Sequence, residues 1–147
     1  MNLLATACDI VIASREQARF GYTEVRIGFI PAVVMIFLIR RVGEANAREL
    51  VLRGNLIGAE EAERIGLINL VTPEKELATT VNKVCSELIK QNSGTAMGLC
   101  KEMLAKLPGM SLVDSLDFAA NMNAAARMTP DCKQGIKAFL KKEKLEW

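Results

Sequence analysis

The stretch Cys8–Ser14, C-D-I-V-I-A-S, constrains the fold most tightly. A run this short, apolar and β-branched reads as a strand buried on both faces, the kind found in covered parallel sheets. Only two other extended pieces accompany it. One is Phe20-Gly21 with Glu24 to Phe29, and the other is Leu67 to Val71, L-I-N-L-V. Three short strands do not make a self-sufficient sheet. The sequence therefore predicts a sheet partner from a missing N-terminal half, from another chain, or from both.

The remaining pattern is helical. Pro31 to Arg41 reads as a helix buried nearly all round, broken at Gly43. Glu44 to Leu52 continues as a second helix, closed by Arg53-Gly54 as a glycine cap. Ala59 to Ile65 predicts a short helix with Glu60 and Glu61 in its first turn, ended by Gly66. Thr72 caps and Pro73 starts a helix to about Gln91, striped by Leu77, Val81, Val84, Leu88 and Ile89. Thr95 to Leu107 follows the break at Asn92-Ser93-Gly94. Ser111 caps a helix to about Met128 after Pro108-Gly109, and Thr129-Pro130 opens the last helix, edged by Ile136, Phe139 and Leu140. No internal repeat, low-complexity segment or linker interrupts this order.

Composition narrows the chemistry. The 147 residues are 50% apolar and 24% charged, as in a packed globular domain. A net charge of +2 with dispersed cations does not suggest a nucleic-acid surface. Pro31 to Ile39 is too short to span a bilayer. There is no histidine, and the four cysteines form no C-x-x-C pair. Most zinc sites and the Ser-His and Cys-His nucleophile systems are thereby removed, so proton chemistry falls to carboxylates, lysines, Tyr22 or backbone groups. Cys8, Cys85, Cys100 and Cys132 read as reduced, buried thiols of a cytoplasmic protein. The start, M-N-L-L-A-T-A-C-D, lacks a basic lead region and does not read as a secretory signal. Leu3, Leu4, Ala5 and Ala7 read instead like the middle of a buried helix, as in a chain missing its beginning.

The candidate chemical group is Glu24, in A-R-F-G-Y-T-E-V-R-I-G-F-I-P. Phe20 and Tyr22 precede it, and Val25, Ile27, Phe29 and Ile30 follow. Apolar surroundings disfavour a carboxylate's charged form and make an acid that exchanges protons near neutrality. The plainer alternative is a surface glutamate at a strand end, solvated or paired with Arg26.

Six segments in order carry a resemblance over the whole chain: C-D-I-V-I-A-S; F-G-Y-T-E-V-R-I-G-F-I-P; R-V-G-E; L-R-G-N-L-I-G-A-E-E-A; R-I-G-L-I-N-L-V; and G-I-K-A-F-L-K-K. Together they resemble the crotonase superfamily, the enoyl-CoA hydratases and isomerases, in its C-terminal half. The wording is similar to bacterial enoyl-CoA or methylglutaconyl-CoA hydratases. The resemblance implies an α/β fold, the C-terminal part of a crotonase (ClpP/crotonase-like) fold. The last ββα elements would be followed by a helical trimerisation region. Residues 1–72 would form a partial core and residues 73–147 a helical region for oligomerisation and active-site cover.

The resemblance also implies roles. Glu24 stands where the family has a catalytic glutamate, which handles the proton at the α-carbon or the water in hydratases and shuttles a proton between carbons in isomerases. Ala32 occupies the place of a family glycine whose backbone N–H helps orient the chemistry. Phe139 and Lys142 match positions near the adenine and phosphate end of coenzyme A, often of a neighbouring subunit. The residues alone would make Phe139 core and Lys142 solvent-facing. The implied substrate is an acyl-CoA, with the thioester itself as substrate and no further cofactor or metal. The implied assembly of the full-length protein is a homotrimer or a hexamer (dimer of trimers), with no nucleic acid or membrane partner.

Departures from the family matter as much. Leu3 stands where hydratases commonly carry a second glutamate, which puts two-glutamate water addition in doubt and leaves a one-glutamate proton shuttle open. Ser14 to Phe20 is one residue longer than the family spacing. The oxyanion-hole N–H groups would lie outside the chain, and losing one such donor costs roughly 10²–10³ in rate. Two readings follow: the C-terminal half of an acyl-CoA hydratase or isomerase, or a truncated, inactive piece acting only in oligomerisation or partner binding.

Overall fold

The computed structural model describes residues 3–147, and for Leu3 the backbone alone. The expectation resting on the Leu3 side chain therefore lies outside the described residues. The chain forms two compact units, Met1–Asn82 and Lys83–Trp147.

The first unit opens with α1 (Leu3–Ala7) and β1 (Ile12–Ser14). Next come β2 (Arg19–Phe20), a 3-10 turn (Thr23–Ile27) and α2 (Ala32–Arg53). The unit continues with β3 (Ile57–Gly58), α3 (Ala59–Arg64) and β4 (Leu70–Thr72). β1 pairs in parallel with β4, Ala13 opposite Val71, and the long helical crossover between them is what a parallel pair requires. β2 pairs antiparallel with β3, Phe20 opposite Ile57. Among the described residues, four very short strands thus form two two-stranded sheets rather than the three extended pieces expected. Cys8 to Ile10 and Leu67 to Asn69 lie outside the ladders, although Leu67 and Ile68 are buried.

The core of this unit is built by Leu38, Ala59 and Ala62, all fully buried, with Tyr22, Leu50 and Leu67 around them. Arg41 ties its periphery together: Nε donates to the Leu67 carbonyl at 2.6 Å, Nη1 to the Cys8 carbonyl and Nη2 to Asn69 Oδ1 at 2.8 Å. One guanidinium with charge-assisted bonds so fixes both the exit of α1 and the approach to β4.

Several expectations are corrected. Glu24 to Phe29 is not extended. Gly28 takes a left-handed φ of 74° and its N–H bonds the Val25 carbonyl, while the Phe29 N–H bonds the Glu24 carbonyl at 3.0 Å. The alternating apolar residues there mimic a strand, but the glycine closes a turn. The helix after Pro31 is not buried all round: Val34, Leu38 and Val42 are buried on one stripe, whereas Val33, Ile36 and Ile39 are exposed. It does break where expected, at Gly43 (φ 74°, ψ 167°), and ends on a left-handed Gly54. Leu4 is 80% exposed, so α1 is not the middle of a buried helix. Pro73 is extended and leads through a 3-10 turn (Glu74–Glu76) to a helix beginning at Leu77, because Thr72 is held in β4. The cysteines are free but not buried: Cys8, Cys85 and Cys100 are exposed and Cys132 is half-buried.

The second unit is helical: α4 (Leu77–Gln91) from Lys83 on, α5 (Gly94–Lys106), α6 (Leu112–Met128) and α7 (Pro130–Lys141). Ser111 and Thr129 open their helices where the sequence places those starts, and Ser93, read there only as part of a break, caps α5. The hydroxyls of Ser93, Ser111 and Thr129 accept from the N–H groups of Ala96, Asp114 and Cys132. Among its described residues only Ser93 and Ala138 are buried, and Leu104, Leu112, Phe139 and Leu140 are each at least 70% exposed. The expected edge of Ile136, Phe139 and Leu140 exists, but it faces outward. No helix among the described residues is long and apolar enough to cross a membrane.

Candidate active site

Glu24 is carried by the 3-10 turn, and two glycines allow that turn to sit where it does. A Cβ on Gly21 would lie 2.6 Å from the Asn55 carbonyl oxygen, and one on Gly54 would lie 2.9 Å from Val25 Cγ2. The turn and the Gly54–Leu56 loop can touch only because both positions lack side chains. Tyr22, directly before the turn, is 2% exposed, and its hydroxyl shares a 2.8 Å hydrogen bond with that of Thr6 on α1. Burial pushes the Tyr22 phenol above its ordinary value and the Glu24 charge adds to this, while the Thr6 bond and Arg41 oppose it.

The Glu24 side chain borders a shallow depression of about 230 Å³ lined by Phe29, Ile30, Pro31, Ala32, Val33 and Val34. It is the one charged side chain in that lining. Its Oε2 is buried and has no hydrogen-bond partner among the described residues, so the expected alternative of a carboxylate simply solvated or paired with Arg26 does not describe this oxygen. Ala32 opens α2, and the first amides of a helix have no acceptor within it. The depression therefore brings together an unpartnered carboxylate oxygen, apolar walls and a helix start. Such an arrangement can accept or deliver a proton at a group bound against the apolar walls.

Of the four expected site residues, Glu24 and Ala32 line this one depression. Phe139 and Lys142 belong to the second unit. Phe139 is 81% exposed, which overturns its reading as core from the residues alone. Lys142 is exposed and caps α7 in the left-handed region at φ 56°, its N–H bonding the carbonyls of Ala138 and Phe139. No group of three or more histidine, cysteine, aspartate or glutamate side chains that could hold a metal occurs among the described residues. Sequence reasoning missed the Thr6–Tyr22 contact and the Arg41 tie. A lone threonine in L-L-A-T-A and a tyrosine inside an apolar run were the available signals for the first.

Residues 2–147 match the family model described as enoyl-CoA hydratase/isomerase. A Thermus thermophilus protein named as an enoyl-CoA hydratase is 46% identical over 95% of this chain and 54% of its own length. A short-chain-enoyl-CoA hydratase of Clostridioides difficile is 37% identical over 92% of this chain and 87% of its own. Among solved structures, an enoyl-CoA hydratase of Mycobacterium smegmatis superposes with a TM-score of 0.91 at 26% identity, over 99% of this chain and 56% of that one. The chain thus spans about half the length of most relatives it matches, and its fold is part of the crotonase α/β fold they share. On the family match over nearly every residue, this chain belongs to the enoyl-CoA hydratase/isomerase family.

Proposed function

We propose that this chain supplies the glutamate-bearing, C-terminal half of an acyl-CoA-processing enzyme that adds water to, or shifts the double bond of, an enoyl-CoA thioester. The observation that carries this reading is the buried, unpartnered Oε2 of Glu24 at the edge of an apolar depression. In hydration, the water oxygen bonds the β-carbon and a proton ends on the α-carbon, with Glu24 as general acid/base. In isomerisation, Glu24 removes a proton from one carbon and returns it to another. Both routes pass through an enolate, whose charge on the thioester oxygen needs amide donors. The Ala32 N–H helps orient that chemistry. Phe139 and Lys142 contact the coenzyme A end of the substrate, within a homotrimer or a dimer of trimers. The thioester is the substrate, and no further cofactor takes part. The exposed apolar side chains of the second unit support an assembly role beside the catalytic one.

The test uses a completed protein, in which the chain is joined to the portion of the Thermus thermophilus relative that its match leaves uncovered. Hydration of crotonyl-CoA is followed in the completed protein and in its Glu24→Gln variant. Loss of a positioned acid/base group should lower kcat by roughly 10²–10⁴. A Glu24→Gln variant within a few-fold of its parent removes Glu24 from the mechanism. The 147-residue chain by itself should show negligible turnover, and activity within a hundredfold of the completed protein would refute the need for the other half.

A further inference from the structure

We propose that Tyr22, through its buried hydrogen bond to Thr6, is a positioning residue that holds the Glu24 turn in register for proton transfer. The proposal rests on the Glu24 reading above. Glu24 Oε2 makes no hydrogen bond, so that oxygen is placed by the backbone that carries it rather than by its own contacts. That backbone is a five-residue 3-10 turn, an element with poor hydrogen-bond geometry, and no side chain caps its start. Its exit is fixed by Gly28, through the bonds of Gly28 N–H and Phe29 N–H to the turn's carbonyls. Its entry is the cap position itself, Tyr22. The anchor there is strong: the two hydroxyls are 4% and 2% exposed by residue, lie 2.8 Å apart and join segments 16 residues apart. Arg41 then holds the exit of α1 through the Cys8 carbonyl, so the partner of Tyr22 is itself fixed. A hydroxyl pair with no contact to the depression thus sets where the carboxylate stands. A misplacement of about 1 Å can cost on the order of 10²-fold in rate.

Tyr22→Phe and Thr6→Val each keep the buried shape and remove one hydroxyl. In the completed protein each should lower kcat roughly tenfold with KM within about twofold, since orientation rather than binding is lost. The double variant should lose less than the product of the two single losses, because both break the Thr6–Tyr22 contact. Thr6→Ser, which keeps the hydroxyl, should retain parental kcat. Folded Tyr22→Phe with kcat within twofold of parent, or kcat and KM changing together, overturns the proposal. Glu24→Gln in the same background separates the two ideas. If it stays active, the mechanism fails; if it is dead while Tyr22→Phe is not, the positioning role alone fails. A second measurement needs no turnover. Tyr22 is the one tyrosine of these 147 residues, so in the completed protein the phenolate absorbance lost on Tyr22→Phe isolates its titration. Thr6→Val should move that titration upward, because the Thr6 bond opposes the effect of burial. An unmoved titration means that the contact is not made, and also overturns the proposal.

Discussion

Gly21→Ala tests whether the Glu24 turn is seated by close backbone approach. The added methyl would stand 2.6 Å from the Asn55 carbonyl oxygen and 2.8 Å from Leu56 Cδ2, where ordinary contact begins near 3.4 Å. The Leu56 side chain is 61% exposed and can swing away. The carbonyl cannot, because it belongs to the loop between the left-handed Gly54 cap and β3. Backbone must therefore shift by several tenths of an ångström, and overpacking of this kind costs typically about 1–3 kcal/mol. With a urea dependence of about 2 kcal/mol/M, the unfolding midpoint should fall by roughly 1 M. Gly98→Ala is the control: it lies inside α5 with nothing within 4 Å of the new methyl. Helix propensity alone should raise the midpoint there by roughly 0.5 M. The same displaced loop carries Gly54 against Val25, so Gly21→Ala should also lower kcat in the completed protein. A Gly21→Ala midpoint within about 0.2 M of the parent would refute the close-packing argument.

Two further perturbations follow from the second unit. Lys142 holds a left-handed backbone at the end of α7, which costs a non-glycine residue about 1 kcal/mol. Lys142→Gly should raise the unfolding midpoint while raising KM for the acyl-CoA; an unchanged KM would remove Lys142 from substrate binding. Asp131 is held below its ordinary value of 3.8, first by the Ser93 hydroxyl and then by Thr95. A carboxyl depressed in the folded state adds stability above its ordinary value and loses it as pH falls through the folded one. Asp131→Asn should therefore flatten the loss of stability below pH 3.8, and an unchanged acid limb in urea titrations would contradict the Ser93 contact.

Legibility from sequence followed the locality of the signal. The helix starts at Ser111 and Thr129-Pro130 and the glycine stops at Gly43 and Gly54 depend on residues three or four positions apart, and they stand where the sequence places them. Ser93, read as part of a break, instead caps α5, and Thr72, read as a cap, lies in β4. The Glu24 segment was misread because alternation of apolar residues is common to a strand and to a turn that rests on a core; only the φ of Gly28 separates the two. Burial was overestimated for the cysteines and for the helix after Pro31 for a different reason. Apolar character states what a side chain would gain from cover, and says nothing of whether the same chain provides it. The Thr6–Tyr22 and Arg41 contacts span 16 to 33 residues, and no periodicity encodes a pairing at such a separation.

The same distinction bears on the chemistry at Glu24. Acid/base chemistry of the kind proposed there runs best where water is excluded. Here one oxygen is already dry and unpartnered, yet Phe29, Ile30 and Val33 on the walls beside it are each about 60% exposed. These walls can exclude water only once something apolar lies against them. If the substrate's acyl chain alone did this, the chain by itself would need only binding to become competent. If protein must do it, substrate without that cover leaves the carboxylate solvated on its open side. The exposed stripe continues beyond the depression to Ile36 and Ile39, further along α2 than its lining reaches. Cover by protein, as the proposed assembly would supply, accounts for that extension. Replacing Ile36 by Ser should then weaken assembly of the completed protein and lower kcat, while a change confined to KM would point to the acyl chain instead.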